Sequence, residues 1–297
     1  MTGAVIDLGT NTFNLLIFKK TATGRKILFK HKEGVALGMG GINQQTIVPD
    51  AFERGISTLE QFKAICDQHG VEQIRAIGTS ALRAAENRDD FIQAAFAMTE
   101  IPITIIDGET EAELIYRGIQ TAHVFEDKSI ILDIGGGSSE FIFANNNEVI
   151  KSKSFEIGVS RIYQQFEFND PLTNSDIDAI INYLEQSTRG FFDDIRTNIL
   201  VGASGSFETF YEIIENIDFP TNSQSQQISK ERLHWCIDNL IKSSLAERKL
   251  NDRIIPIRKI MAPIAAVKVM WLMDKLDINT IYVSPHSMKE GLMEHLF

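Results

Sequence analysis

Short apolar runs separated by turn-forming residues open the chain, and Ala4–Leu8, Asn14–Phe18 and Lys26–Lys30 predict three strands. The period then changes. From Pro49 onward, Phe52, Ile56, Leu59, Phe62, Ile65 and Cys66 recur at spacings of three and four, which predicts a helix with one buried face. A strand at Gln73–Thr79, helical pieces at Ala81–Ala85 and Asp89–Met98, a strand at Ile103–Ile106 and a helix at Glu109–Gln120 follow. After Asp127 the order begins again, with strands at Ser129–Ile134, Ser139–Ala144 and Glu148–Glu156. Helices at Val159–Phe166 and Asp176–Asp193, a strand at Ile199–Gly202 and a helix at Phe207–Glu215 come next. The polar stretch Thr221–Gln227 reads as a flexible solvent-side connection. Helices at Lys230–Leu245 and Ile257–Lys275, a strand at Thr280–Val283 and a helix at Met288–His295 complete the pattern. The helix from Ile257 is apolar nearly all round, so it should be buried between other elements.

The two openings are built alike. Val5-Ile6-Asp7-Leu8-Gly9-Thr10-Asn11-Thr12 and Ile131-Leu132-Asp133-Ile134-Gly135-Gly136-Gly137-Ser138 each run an apolar strand into an aspartate, then a glycine- and hydroxyl-bearing turn, then a second apolar strand. Without bulky side chains, the backbone N–H groups of such a turn can point at phosphate oxygens, and the aspartate can hold a hydrated cation that the phosphates share. Either aspartate could instead simply cap its turn. The duplication predicts one ancestral α/β domain used twice, over residues 1–124 and 125–297, with the ligand in the cleft between the halves.

Charge narrows the ligand. With 29 Lys and Arg against 40 Asp and Glu, the net charge is −11, so the overall field repels polyanions and nucleic acid is not expected as a partner. A phosphate compound must therefore be met locally, by divalent metal, amides and a few placed basic residues. Cys66 and Cys236 are far apart and lack metal-ligand spacing, which fits a reducing, cytoplasmic setting. The six histidines show no pair at helical ligand spacing. No leader or membrane segment is expected, since Pro263 and Lys268 interrupt the apolar run near Ile260–Met273.

Five segments, in this order, resemble the exopolyphosphatase and guanosine pentaphosphate phosphohydrolase family within the actin, sugar-kinase and heat-shock-ATPase superfamily. They are Asp7–Phe13, Gly78–Arg83, Gly108–Ala112 with Tyr116 and Gly118, Asp133–Glu140, and Gly202–Ser206. The resemblance implies two ribonuclease-H-like (actin-like ATPase) domains and hydrolysis of a terminal phosphate from inorganic polyphosphate or guanosine pentaphosphate, with Mg2+. Homodimers are common in the family. It further implies that Asp7 and Asp133 position the metal and that Glu140 orders metal-bound water; Glu140 read alone is equally a solvent-facing strand residue. Gly9, Thr10, Asn11, Thr12, Gly135, Gly136, Gly137 and Ser138 would bind phosphate, with Gly202, Ser204, Gly205 and Ser206 facing distal phosphates or forming a plain helix cap.

Glu109, Glu111 and Glu113 all fall in the first turns of one helix, where carboxylates meet the dipole favourably, and residue chemistry alone does not choose among them. The resemblance selects Glu111 as general base. This chain has Thr110 before it and Glu113 after Ala112, where the family commonly has a second glutamate and a basic residue. Arg83 would reach phosphate in a two-pronged contact or lie exposed behind a helix cap, and Arg258 and Lys259 would meet distal phosphates or water. Alternatives are an ATP-dependent phosphotransferase and a non-catalytic nucleotide-binding protein. A hinge is expected near His123–Asp127.

Overall fold

The structure, a computed structural model, describes residues 1–22, 24–221 and 224–296. The first half contains strands β1 (Thr2–Leu8), β2 (Thr12–Thr21), β3 (Gly24–Gly34), β4 (Gln73–Gly78) and β5 (Ile103–Ile105). Helices α1 (Pro49–Gln68), α2 (Ser80–Ala84), α3 (Arg88–Thr99) and α4 (Gly108–Gln120) connect or follow them. The second half contains β6 (Ser129–Ile134), β7 (Ser139–Ala144), β8 (Val149–Phe155), β9 (Ile199–Ala203), β10 (Gln226–Ile228) and β11 (Thr280–Val283). Its helices are α5 (Val159–Gln165), α6 (Asn174–Ser187), α7 (Ser204–Glu215), α8 (Lys230–Lys242), α9 (Leu245–Leu250), α10 (Ala262–Leu276) and α11 (Met288–Leu296).

One sheet runs β3-β2-β1-β4-β5 and the other β10-β11-β9-β6-β7-β8. The halves repeat a topology: β1 lies antiparallel to β2 and parallel to β4, as β6 lies antiparallel to β7 and parallel to β9. Each aspartate thus sits at the carboxyl end of a central strand, where parallel sheets open their crevices. The register also repeats, placing Asn14 opposite Asp7 and Glu140 opposite Asp133.

Each half has its own apolar core, and a third core joins them. That junction brings Val5, Leu16 and Phe18 together with Ile131 and Ile142, between α4 and α11. The two helices exchange places. α4, which follows the first sheet, packs on β7 and β8 of the second; α11, which follows the second sheet, packs on β1 and β2 of the first. They cross so closely that a Cβ on Gly118 would lie 1.9 Å from the Ser287 carbonyl oxygen, and one on Gly291 would lie 1.9 Å from that of Leu114.

Several boundaries differ from expectation. The helix expected from Phe207 starts at Ser204, so Ser204, Gly205 and Ser206 form its first turn. The helix expected over Lys230–Leu245 ends at Lys242, and a capping box of Ser244 and Glu247 starts a further short helix, α9, that was not expected. The helix expected from Ile257 is a short 3-10 turn, Pro256–Arg258, followed by α10, because each proline favours a helix start. Its prediction of burial holds for Ala262 through Val269. Residues 222 and 223 of the expected flexible loop lie outside the described residues, and Gln226–Ile228 pairs with β11 as a short strand. Among the described residues, no helix is long and apolar enough to cross a membrane.

Candidate active site

Both turns line one cleft. Its walls include Asp7, Gly9–Thr12, Asp133–Ser138, Glu111, Glu140 and Ser204–Ser206, drawn from both halves. The turns meet across it: a Cβ on Gly136 would lie 2.7 Å from the Asn11 amide group, and one on Gly137 would lie 2.5 Å from Ser80 Oγ and 2.7 Å from Thr10 Oγ1. A larger residue at either position would require those side chains to move.

Of the carboxylates that line this space, four are held protonated above their ordinary range chiefly by burial. Asp7 is pushed up to about 7 chiefly by burial, with Lys289 and the Asn14 amide (3.0 Å) pulling the other way. Glu140, expected either on metal-bound water or facing solvent, is fully buried, with Ser154 Oγ donating to it at 2.7 Å. Burial and the Asp133 charge raise it to about 7. Asp133 is raised by burial, while Ser204 Oγ (2.5 Å) and Ser287 Oγ (2.9 Å) both donate to its Oδ2 and oppose the rise. Ser204 has φ +66, a left-handed conformation that favours glycine, held at the point where its hydroxyl meets Asp133.

Glu111 is 7 % exposed, whereas Glu109 is exposed and Glu113 pairs with Arg117 at 2.8 Å on the side of α4 away from the cleft. Asp107 caps the helix by accepting from Thr110 N, which fixes the first turn at the cleft wall. Burial and then the Glu140 charge hold Glu111 well above the ordinary glutamate range, against the pull of Arg83. Arg83, which on the sequence reading would reach phosphate or lie exposed, is engaged with this glutamate. Its Nη1 donates to Glu111 Oε2 at 2.8 Å and to the Ile106 carbonyl at 3.1 Å, so it positions the glutamate.

Two other candidates, Gly202 and Lys259, are not among the residues lining the cleft. Gly202 lies under α7, where a Cβ would strike the Phe207 ring at 2.1 Å. Lys259 reaches the Lys249 carbonyl outside the cleft, while Arg258 does line it and donates to Thr209 Oγ1 at 3.0 Å. Sequence reasoning missed Lys32, Glu208, Ser287 and Lys289, all on the cleft wall. Burial pushes Glu208 up, but Lys32, Arg258 and Lys289 outweigh it and bring the carboxyl down to about 2. Lys32 Nζ donates to it at 2.8 Å. The repeat held a clue to Lys289: α4 and α11 occupy equivalent places, and both begin at the cleft.

Among the described residues, no three His, Cys, Asp or Glu side chains are grouped to hold a metal unaided. The donor set nevertheless fits Mg2+, which typically binds one or two carboxylates and fills its remaining positions with water and phosphate oxygens. Burial raises the cost of ionising both Asp7 and Asp133, and the Asp133 charge adds to it at Asp7, which a shared cation would relieve.

Paired actin-like domains with one cleft lined by both glycine turns define the class of protein. Residues 16–296 match the Ppx/GppA phosphatase family, and the chain belongs to that family. It is similar to an exopolyphosphatase from Cytophaga hutchinsonii, with 34% identity, a TM-score of 0.96, and coverage of 100% of this chain and 97% of that one. The fold is also that of an Aquifex aeolicus PPX-GPPA enzyme, at 21% identity and TM-score 0.82, covering 99% of this chain and 98% of that one.

Proposed function

We propose that the protein is an exopolyphosphatase-type phosphohydrolase that releases terminal orthophosphate from inorganic polyphosphate. The observation that carries this reading is the cleft itself, in which two glycine turns face one another with Glu111, Asp7, Asp133 and Glu140 around the gap. Likeness to the Cytophaga hutchinsonii exopolyphosphatase over the whole chain supports it.

Asp7 and Asp133 would hold Mg2+, with Glu140 behind them; bound there, the ion neutralises phosphate charge. The amides and hydroxyls of Gly9–Thr12 and Gly135–Ser138 fix the chain end, and Lys32, Arg258 and Lys289 meet its remaining negative charge. Glu111, oriented by Arg83, takes a proton from water as the water oxygen attacks the terminal phosphorus and the bridging P–O bond breaks toward the shortened chain. General-base catalysis of this kind is worth about a hundred- to ten-thousandfold. A raised Glu111 pKa suits a base working near neutral pH, since the proton acceptor is then stronger.

Orthophosphate release with Mg2+ from medium-chain polyphosphate, guanosine pentaphosphate and ATP tests the reading. Polyphosphate should give the highest kcat/KM. A preference for guanosine pentaphosphate would move the substrate assignment to the nucleotide, and transfer to an acceptor from ATP would indicate a kinase.

A further inference from the structure

On the Glu111 side of the cleft, three donors converge on a carboxylate that the proposed chemistry does not use. Glu156, in the loop between β8 and α5, accepts on Oε2 from Ser80 Oγ at 2.9 Å and Arg161 Nη2 at 2.5 Å, and on Oε1 from Arg83 Nη2 at 3.4 Å. The two arginines are independently fixed. Arg83 is held by Glu111 and the Ile106 carbonyl, and Arg161 by the Gly137 and Ile42 carbonyls, both at 3.2 Å. Glu156 itself is 48 % exposed. Fixed arginines therefore hold an acid that is itself half-exposed to solvent. Ser80 also lines the cleft beside Gly137, so the spot is continuous with the phosphate-facing turns.

A phosphoryl group makes the same demands on such donors as a carboxylate, with one more oxygen and more charge. We propose that Ser80, Arg83 and Arg161 form a phosphate subsite and that Glu156 is its internal competitor, swinging out to solvent when a phosphoryl group arrives. The occupant is either the terminal phosphoryl of the substrate or the orthophosphate that hydrolysis frees. The proposal rests on the phosphohydrolase reading for its purpose, but binding of inorganic phosphate is measurable without turnover.

Calorimetric titration of orthophosphate into the full chain tests it, comparing wild type with Glu156→Ala, Glu156→Gln, Glu109→Gln and the double variant Glu156→Ala/Arg161→Lys. Glu156→Ala should tighten phosphate binding about tenfold, the effect of freeing charged donors from one ion-pair competitor. Glu156→Gln should tighten it less, because its amide still accepts one bond. Glu109→Gln removes an equal charge from the neighbouring α4 without freeing these donors, and should change binding by less than about twofold. The double variant should lose the gain. A parallel fall in KM for polyphosphate assigns the subsite to the terminal phosphoryl; a fall confined to the product-inhibition constant assigns it to orthophosphate. Unchanged or weaker phosphate binding in both single Glu156 variants, with melting profiles like wild type, overturns the proposal. If the phosphate titrations behave as expected but no polyphosphate is hydrolysed, the functional reading fails and the subsite stands.

Discussion

Asp7 keeps its proton in the fold up to about pH 7, against 3.8 for an ordinary aspartate, because the charged form loses its water. The folded state therefore binds the extra proton between those values. Its contribution to stability is complete below about pH 4 and is lost as the pH rises through 7. Asp7→Asn removes this liability. Without divalent metal, the variant and wild type should melt alike near pH 4, and the variant should melt progressively higher as the pH is raised to 8. The expected gap is at least about 2 °C, which about 1 kcal/mol gives in a chain of this size. Mg2+ should close the gap at pH 8 by raising wild type alone; a pH-independent difference would contradict the account. Asp7 and Asp133 were legible as a pair because each follows an apolar strand and precedes a glycine turn. Lys32, Lys289 and Glu208 were not, since a lone charged residue has no local pattern and acquires meaning only from what folding sets beside it. Glu111 stood between two other glutamates in one helix; only the rotation of α4, with Ala112 and Ile115 packed into the junction core, decides which one faces the cleft.

At the scale of elements, α4 and α11 are the supports of the site. One carries Glu111, the other carries Lys289 and follows Ser287, and their crossing at Gly118 and Gly291 sets how far each start projects into the cleft. Gly291→Ala would put a methyl 1.9 Å from the Leu114 carbonyl oxygen and 3.1 Å from Gly118 N, so the helices must part. A loss of about 1–3 kcal/mol in denaturant unfolding is expected, the usual cost of overpacking, together with a fall in kcat. An unchanged midpoint would mean that the crossing yields without cost. The long amphipathic helices and central strands were readable from periodicity, which burial enforces at every turn. β10 was not, because Gln226 and Gln227 carry no apolar alternation and pair only through the edge of β11. The split of the expected helix at Ile257 was missed for a related reason. Prolines at 256 and 263 each start a helical segment, and apolar content alone does not show the break.

Across the whole molecule, the halves are interlocked rather than merely adjacent. Besides the exchanged helices, the loop after β3 reaches α5 of the second half through Gly40 N to Gln164 Oε1 at 2.7 Å and Asn43 Nδ2 to the Arg161 carbonyl at 3.0 Å. Ser160 Oγ donates to Asn11 Oδ1 at 2.5 Å, tying α5 to the first turn. Within the stretch expected to act as a hinge, His123 and Phe125 are buried, with the His123 ring 4.7 Å from Phe125 and 5.0 Å from Tyr282, while Val124, Glu126 and Asp127 are exposed. Duplication was visible in the sequence, but this interlocking was not, since no single residue announces which sheet a following helix will cover. The central claim is that Glu111 activates water inside a cleft made by both turns. It is tested most directly by measuring orthophosphate release from medium-chain polyphosphate with Mg2+ for wild type and Glu111→Gln, with polyphosphate binding measured alongside. The account predicts a loss of at least about a hundredfold in kcat with affinity nearly unchanged. A Glu111→Gln enzyme that turns over at the wild-type rate would contradict it.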